Sequence, residues 1–159
     1  MINNFLIINC IGNNDKLGLR VNKDFFKYIL KKKNNNEKIV SEILDFLGKH
    51  HIKLDKNFTI IVNLGPGSFS GIRVSLAVAK GIAISKNTPL YAFKNNDLKV
   101  FDKENIEKLL KNNLIEKKLI KPLYSINWTM SIIEKKCKQK GVRLTDQRKI
   151  IAKVLSESK

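Results

Sequence analysis

A chain of 159 residues, 43% of them hydrophobic, is long enough to fold around a buried core and too short for several full domains. Its formal charge of +17, from 31 Lys and Arg against 14 Asp and Glu, excludes an acidic surface and reads in two ways. It suits a nucleic-acid partner. It also suits codon usage, since 27 of the cations are Lys, only 4 are Arg, and Asn is frequent, whereas base and phosphate readers favour the planar guanidinium. No apolar run reaches the ~18 residues of a membrane span, and Met1 to Asn9 lacks the basic start and small-residue cleavage site of a secretion signal, so a cytoplasmic protein is expected.

Phe5 to Ile11 reads as a buried strand. Gly12-Asn13-Asn14-Asp15 is a hairpin turn, and Lys16 to Val21 alternates Leu17, Leu19 and Val21 with polar positions as a half-buried strand does. Asp24 to Leu30 fits a third strand, and its Phe25, Phe26, Tyr28 and Ile29 fit a short helix as well. Lys31 to Asn36 is a charged connection. Ile39, Ile43, Leu44, Phe46 and Leu47 then recur with helical period, with Gly48 as the stop. Thr59 to Leu64 is an apolar strand, followed by a glycine-rich turn, a helix over about Ser70 to Ser85 and a short strand at Leu90 to Phe93. A helix is expected at Lys103 to Leu114 and a terminal strand at Lys121 to Tyr124. Lys121 to Lys159 holds 10 cations and 3 anions. In it a helix over Ser131 to Lys140 ends at Gly141, and Thr145 caps a second one running from Asp146 to about Ser156. The pattern is mixed α/β with an N-terminal hairpin.

The glycine turn is the most informative stretch. Gly65, Gly67 and Gly71 supply three of the 8 glycines within seven positions, directly after a strand and before a helix. Such a turn brings backbone N–H groups close to a phosphate or to another backbone. It is no Walker loop, because Gly71 follows Gly65 by six residues and Ile72-Arg73 stand where Lys-Ser/Thr is required. It is no dinucleotide fingerprint either, because Ser70 occupies the third glycine position. Ser68 and Ser70 can cap the helix and Arg73 can meet an anion. A turn with a helix cap and a functional anion contact through Gly65, Gly67, Ser68, Ser70 and Gly71 both fit.

The helix after the turn has little polar surface: Arg73, Ser75, Lys80 and Ser85 are all it offers. It is therefore expected to be buried on two sides, one against the sheet and one against a partner's helix. No catalytic constellation emerges. Cys10 and Cys137 lack metal or redox spacing and suit a reducing compartment, with Cys10 a small core residue. His50-His51 has no third ligand nearby and reads as a helix end or loop. No metal and no cofactor are expected. The first strand ends at Asn9, and an amide cannot supply a carboxylate's charge to a magnesium nucleotide.

The segment GPGSFSGIRVSLAVAKGIA, Gly65 to Ala83, resembles the signature of the TsaB (YeaZ) family, roughly GPGSFTGIRVGLATAKGLA. It departs at Ser70, Ser75, Val78 and Ile82. The resemblance covers about residues 1–95 and reaches weakly to Pro122-Leu123-Tyr124. It implies a ribonuclease H/actin-like α/β fold with a mixed sheet, and a non-catalytic part in forming N6-threonylcarbamoyladenosine in tRNA. It also implies pairing through helices with the subunit TsaD, with the ATPase TsaE at the junction, possible homodimers, and only indirect contact with tRNA. The residues expected to meet the partner are Ile39, Ile43 and Phe46 on the first helix and Arg73, Leu76, Ala79, Lys80 and Ala83 on the second. The family's first strand usually ends in Asp-Thr-Ser, where this chain has Asn9-Cys10-Ile11.

That reading divides the chain into an actin-like lobe at 1–95, a strongly reduced second lobe at 96–125 and a basic helical tail at 126–159. The tail, especially GVRLTDQRKIIAKVLSES, resembles the first helices of ferric-uptake-regulator proteins without that family's recognition helix or metal ligands, so no sequence-specific DNA binding is expected. Two other functions also fit: an actin-like homodimer that does not bind TsaD, and a weak ATPase or peptidase-like enzyme.

Overall fold

The computed structural model describes residues 2–12, 15–30, 35–117, 120–123, 135, 137–141, 143, 145–146 and 149–150. The chain divides into two compact units, Met1–Tyr124 and Ser125–Lys159.

The first unit is a five-stranded mixed sheet with helices on both faces. Its strands are β1 (Phe5–Asn9), β2 (Lys16–Val21), β3 (Asp24–Ile29), β4 (Thr59–Asn63) and β5 (Leu90–Phe93). Their spatial order is β3-β2-β1-β4-β5. β1, β2 and β3 form an antiparallel meander, while β4 runs parallel to both β1 and β5. The helices are α1 (Asn35–Lys49), α2 (Phe69–Lys86) and α3 (Lys103–Lys111), and a single 3-10 turn spans Asn95–Asp97.

Strand residues alternate between faces, so one sheet builds two cores. Leu6, Ile8, Leu17, Leu19, Ile60 and Val62 point to the α1/α2 side, where Ile39, Ile43, Phe46, Leu76 and Ala79 cover them. Phe5, Ile7, Ile61 and Phe93 point the other way, under Leu98, Phe101, Ile106 and Leu109. Burial on both faces explains why β1 and β4 read as unbroken apolar runs. Gly18 in β2 belongs to the second face. A Cβ there would stand 2.6 Å from Ile7 Cγ2 and 2.9 Å from Phe25 Cζ, so the missing side chain lets those groups close over the strand.

Several boundaries differ from the sequence reading. Asp24–Ile29 is a strand: Phe26 and Tyr28 pack on the α1 side while Phe25 packs on the other, an alternation that a helix does not provide. Gly48 does not stop α1, which runs on to Lys49; the turn comes at His51, with φ 53°. α3 is capped at its N-terminus by the Asp102 carboxylate, which accepts from Asn105 N at 2.8 Å, and it ends at Lys111 rather than Leu114. Residues 96–117, part of the segment 96–125 expected as a reduced second lobe, lie in this same unit, and Leu98, Phe101, Ile106 and Leu109 cover the second face of the sheet. Lys121 to Leu123 form no strand; Leu123 N donates to Leu64 O at 2.7 Å, and Tyr124 lies outside the described residues.

In the second unit, residues 135 and 137–139 are helical and Gly141, at φ 64°, follows them as expected. Lys149 N donates to Thr145 O at 2.9 Å, as in the first turn of the second expected helix. Ser131 to Glu134 and Ile151 to Ser156 lie outside the described residues.

Candidate functional site

The turn between β4 and α2 is packed against the chain segment that follows β1. Ser68 N donates to Ile11 O at 2.6 Å. A Cβ on Gly67 would lie 2.7 Å from Ile11 O, so no other residue fits that crossing without moving the backbone. Gly65 has φ 98°, is buried, and donates to the Asn63 side chain while its carbonyl accepts from Asn95 N at 2.7 Å. Ser68 is the N-cap of α2, its hydroxyl facing Gly71 N at 3.4 Å, and Ser70 is exposed beside it. The turn residues named from sequence are therefore brought together. What their geometry displays is contact between two chain segments and a helix cap.

Below the turn, the ends of the three parallel strands are joined by amides. Asn63, fully buried, donates from Nδ2 to Asn9 Oδ1 at 2.6 Å and to Asn95 Oδ1 at 3.1 Å. Its Oδ1 accepts from Gly65 N at 2.8 Å. That backbone donor fixes which way the Asn63 amide faces, and so which atom each neighbour must present. In open α/β sheets this crevice, outside the carboxyl ends of the strands, is where ligands sit. Here Asn9, Asn63 and Asn95 place neutral amides at it, while the buried Asp15 carboxylate accepts from Gly12 N at 2.8 Å beside it. Among the described residues no group of three or more His, Cys, Asp or Glu could hold a metal ion. Cys10 is buried beside this layer, and burial pushes its thiol well above the ordinary range, as suits an inert core residue.

The second feature is the outer surface of α1 and α2. Of the residues expected to meet a partner, Ile39, Ile43, Phe46, Leu76 and Ala79 lie in the core of this chain, and that expectation is corrected. They occupy the helical phase that covers Leu6, Ile8, Ile60 and Val62. Arg73 and Lys80 are exposed and Ala83 is half-buried. Among the described residues, the exposed apolar side chains include Val40 and Leu44 on α1, with Phe69, Ala77 and Ile84 on α2 alongside Gly81. Ile84 is 83% exposed and Leu44 60%. Half-buried Val74, Val78 and Ile82 flank that outer α2 surface and contact the core. The signal for this phase was present: Ala77 and Ile84 stand one helical turn after Arg73 and Lys80, the two cations that had to face water.

At the first turn of α2, the Arg73 guanidinium lies 3.8 Å from the centroid of the Phe69 ring, a cation–π contact at the end of the same surface. Phe69 is 54% exposed. At the other end of the α1 layer, His50 stacks on Phe26 at 4.0 Å and meets Phe46 edge-on at 5.2 Å, which places this histidine in an aromatic cluster. The Tyr28 hydroxyl donates to the Glu42 carboxylate, and that bond raises the tyrosine's titration above its usual value.

A mixed β3-β2-β1-β4-β5 sheet with α1 and α2 on one face and α3 on the other is an actin-like (ribonuclease H-like) α/β lobe, here with amides at its strand ends and an uncovered apolar helix pair. Comparisons with known proteins agree. Residues 30–102, under half of the chain, match the profile of the family described as TsaD: tRNA N6-adenosine threonylcarbamoyltransferase. A curated relative, the tRNA threonylcarbamoyladenosine biosynthesis protein TsaB of Buchnera aphidicola subsp. Baizongia pistaciae, is 39% identical over 66 residues, 40% of this chain and 30% of that protein. The chain thus spans under a third of the curated relative's length. YeaZ from Pseudomonas aeruginosa superposes with a TM-score of 0.55 at 18% identity, over 60% of this chain and 46% of that one. A structure described as similar to peptidase YeaZ from Pseudomonas aeruginosa gives 0.53 at 20%, over 60% and 44%. The resemblance to the TsaB (YeaZ) family, carried in the sequence by Gly65 to Ala83, therefore holds in both sequence and fold. Among the described residues no helix is long and apolar enough to cross a membrane.

Proposed function

We propose that this chain is a non-catalytic scaffold subunit in the formation of N6-threonylcarbamoyladenosine in tRNA, and that it pairs with a TsaD-type subunit through the outer surfaces of α1 and α2. The observation that carries this reading is the set of apolar side chains left open there: Val40, Leu44, Ala77 and Ile84, with Arg73 stacked on exposed Phe69 in the first turn of α2. Large apolar side chains turned outward on two neighbouring helices are the kind of surface that partners cover. Aromatic and Arg anchors beside such a patch are the side chains that most often dominate binding energy. The tRNA-modification context comes from the similarity to TsaB, at 39% identity over 66 residues.

The absence of catalysis is part of the proposal. Its support is the Asn9–Asn63–Asn95 layer, which occupies the strand-end crevice with neutral groups already bonded to one another. A Mg²⁺ nucleotide needs carboxylate oxygens and open coordination positions, and amides bonded in this way supply neither. TsaE is the further partner expected once the pair has formed, and contact with tRNA is through the assembly.

The test is to mix the full chain with TsaD from the same cell and follow both complex formation and modified tRNA. A stable pair that restores the modification supports the proposal. A chain that forms only homodimers, or one that turns over ATP alone with magnesium, refutes it.

A further inference from the structure

At the opposite end of the sheet from the glycine turn, and on the opposite face from α1 and α2, a cleft of about 780 Å³ opens between the sheet and the end of α3. Its apolar walls are Ile2, Tyr91, Leu110 and Ile115, each half-buried. Its polar wall is Arg20 with Glu107, joined by an ion pair of 3.1 Å, and Lys111 stands at the exposed rim. Nothing in the function proposed above uses this cleft.

Two features make it a built site. First, Arg20 is held from two sides: NH1 meets Glu107, and Nε donates to Asn22 O at 3.4 Å. A guanidinium has five N–H groups in a fixed plane, so two restraints set the direction of the other three. A preorganised fork loses little freedom when it binds. Second, the charges do not cancel. Arg20 and Lys111 contribute two positive charges and Glu107 one negative, so the lining carries a net positive charge, with Arg20 beside the apolar wall and Lys111 hydrated at the rim. The volume lies within the ordinary range of small-ligand pockets.

We infer that this cleft binds a small organic monoanion with a flat apolar body, an aromatic monocarboxylate. The carboxylate is taken by the N–H groups of Arg20 that Glu107 and Asn22 do not use, with Lys111 closing over it. The ring lies against Tyr91, Leu110 and Ile115. A dianion would bring a second negative charge against Glu107, and a neutral ligand would forgo the charge-assisted bonds to Arg20.

The test uses the full chain with methyl-labelled Ile and Leu, titrated with indole-3-acetate and, separately, with the neutral indole-3-acetamide. Saturable shifts at Ile2, Leu110 and Ile115 are expected for the acid, with the amide at least about tenfold weaker. Lys111→Gln, an exposed change that leaves the fold intact, is expected to weaken the acid about threefold to tenfold and leave the amide unchanged; Arg20→Gln is expected to do more. The inference is overturned by equal affinity for acid and amide, by no saturation up to about 10 mM, or by an affinity for the acid that Lys111→Gln does not change. Each of these outcomes is independent of pairing with TsaD.

Discussion

Arginine placed at two positions of one helix separates folding from association. Ala79 and Ile84 both lie on α2, the first fully buried and the second 83% exposed. Ala79→Arg would force a guanidinium among the buried side chains between α2 and the sheet, where the desolvation of an unpaired charge exceeds about 4–5 kcal/mol. That is comparable to the whole stability of a domain this size, about 5–15 kcal/mol, so this variant is expected to be unfolded or insoluble. Ile84→Arg is different. With 83% of the side chain already in water, the chain alone gives up only about a fifth of the roughly 2–3 kcal/mol that full burial of an isoleucine is worth, near 0.5 kcal/mol. In a complex that covers the α2 surface the same change loses most of that burial and adds a charge to an apolar contact. About 3 kcal/mol results, a little over a hundredfold in Kd. Circular dichroism melts and an affinity titration with TsaD are the assays. A folded Ala79→Arg protein would refute the assignment of that helical phase to the core. Undiminished binding by Ile84→Arg, with a normal melt, would refute the outer surface of α2 as the interface.

Three further outcomes follow from the packing. Gly18→Val places carbon 2.6 Å from Ile7 Cγ2 and 2.9 Å from Phe25 Cζ, so a loss of about 2–3 kcal/mol is expected in denaturant unfolding despite valine's preference for strands. Asn63→Ala leaves the buried Gly65 N–H and the oxygens of Asn9 and Asn95 without their partner, with an expected cost of about 3 kcal/mol; Asn9→Asp, which still accepts from Asn63 Nδ2, is expected to cost under about 1 kcal/mol, and equal losses in the two would remove the amide layer from the account. The bond from Tyr28 to Glu42 favours the neutral phenol in the folded chain, which puts the folded titration above the unfolded one. Its stabilisation is therefore complete below the ordinary tyrosine range and is lost as pH rises through the higher, folded value. Absorbance titration is expected to find one late tyrosine that Tyr28→Phe abolishes, and a Tyr28→Phe chain whose alkaline loss of stability matches the parent's would contradict the bond.

Much of the architecture was readable because its causes are local. Alternation in Lys16 to Val21, the apolar runs of β1 and β4, and the capping serine before α2 each act within a few residues. The boundaries that shifted depended on distant contacts. Asp24–Ile29 became a strand because β2 offered a free edge to pair with, and α1 ran past Gly48 because its last turn carries His50 into the stack between Phe26 and Phe46. The amide layer was half visible. Asn9 stands in the sequence where the resembled family has an acid, but Asn63 lies 54 positions from Asn9 and 32 from Asn95, and they meet only where three strand ends converge.

From its sequence alone, then, this chain had a determined fold class, a specific family resemblance through Gly65 to Ala83, and an α2 too apolar for an ordinary surface helix. Only the tertiary structure decided which side of that helix is spent on the chain's own core. An α-helix this apolar has little besides Arg73 and Lys80 to set its phase by itself. The register of β1 against β4, with Leu6, Ile8, Ile60 and Val62 on one face, chooses Leu76 and Ala79 as the inward pair and so leaves Ala77 and Ile84 outside.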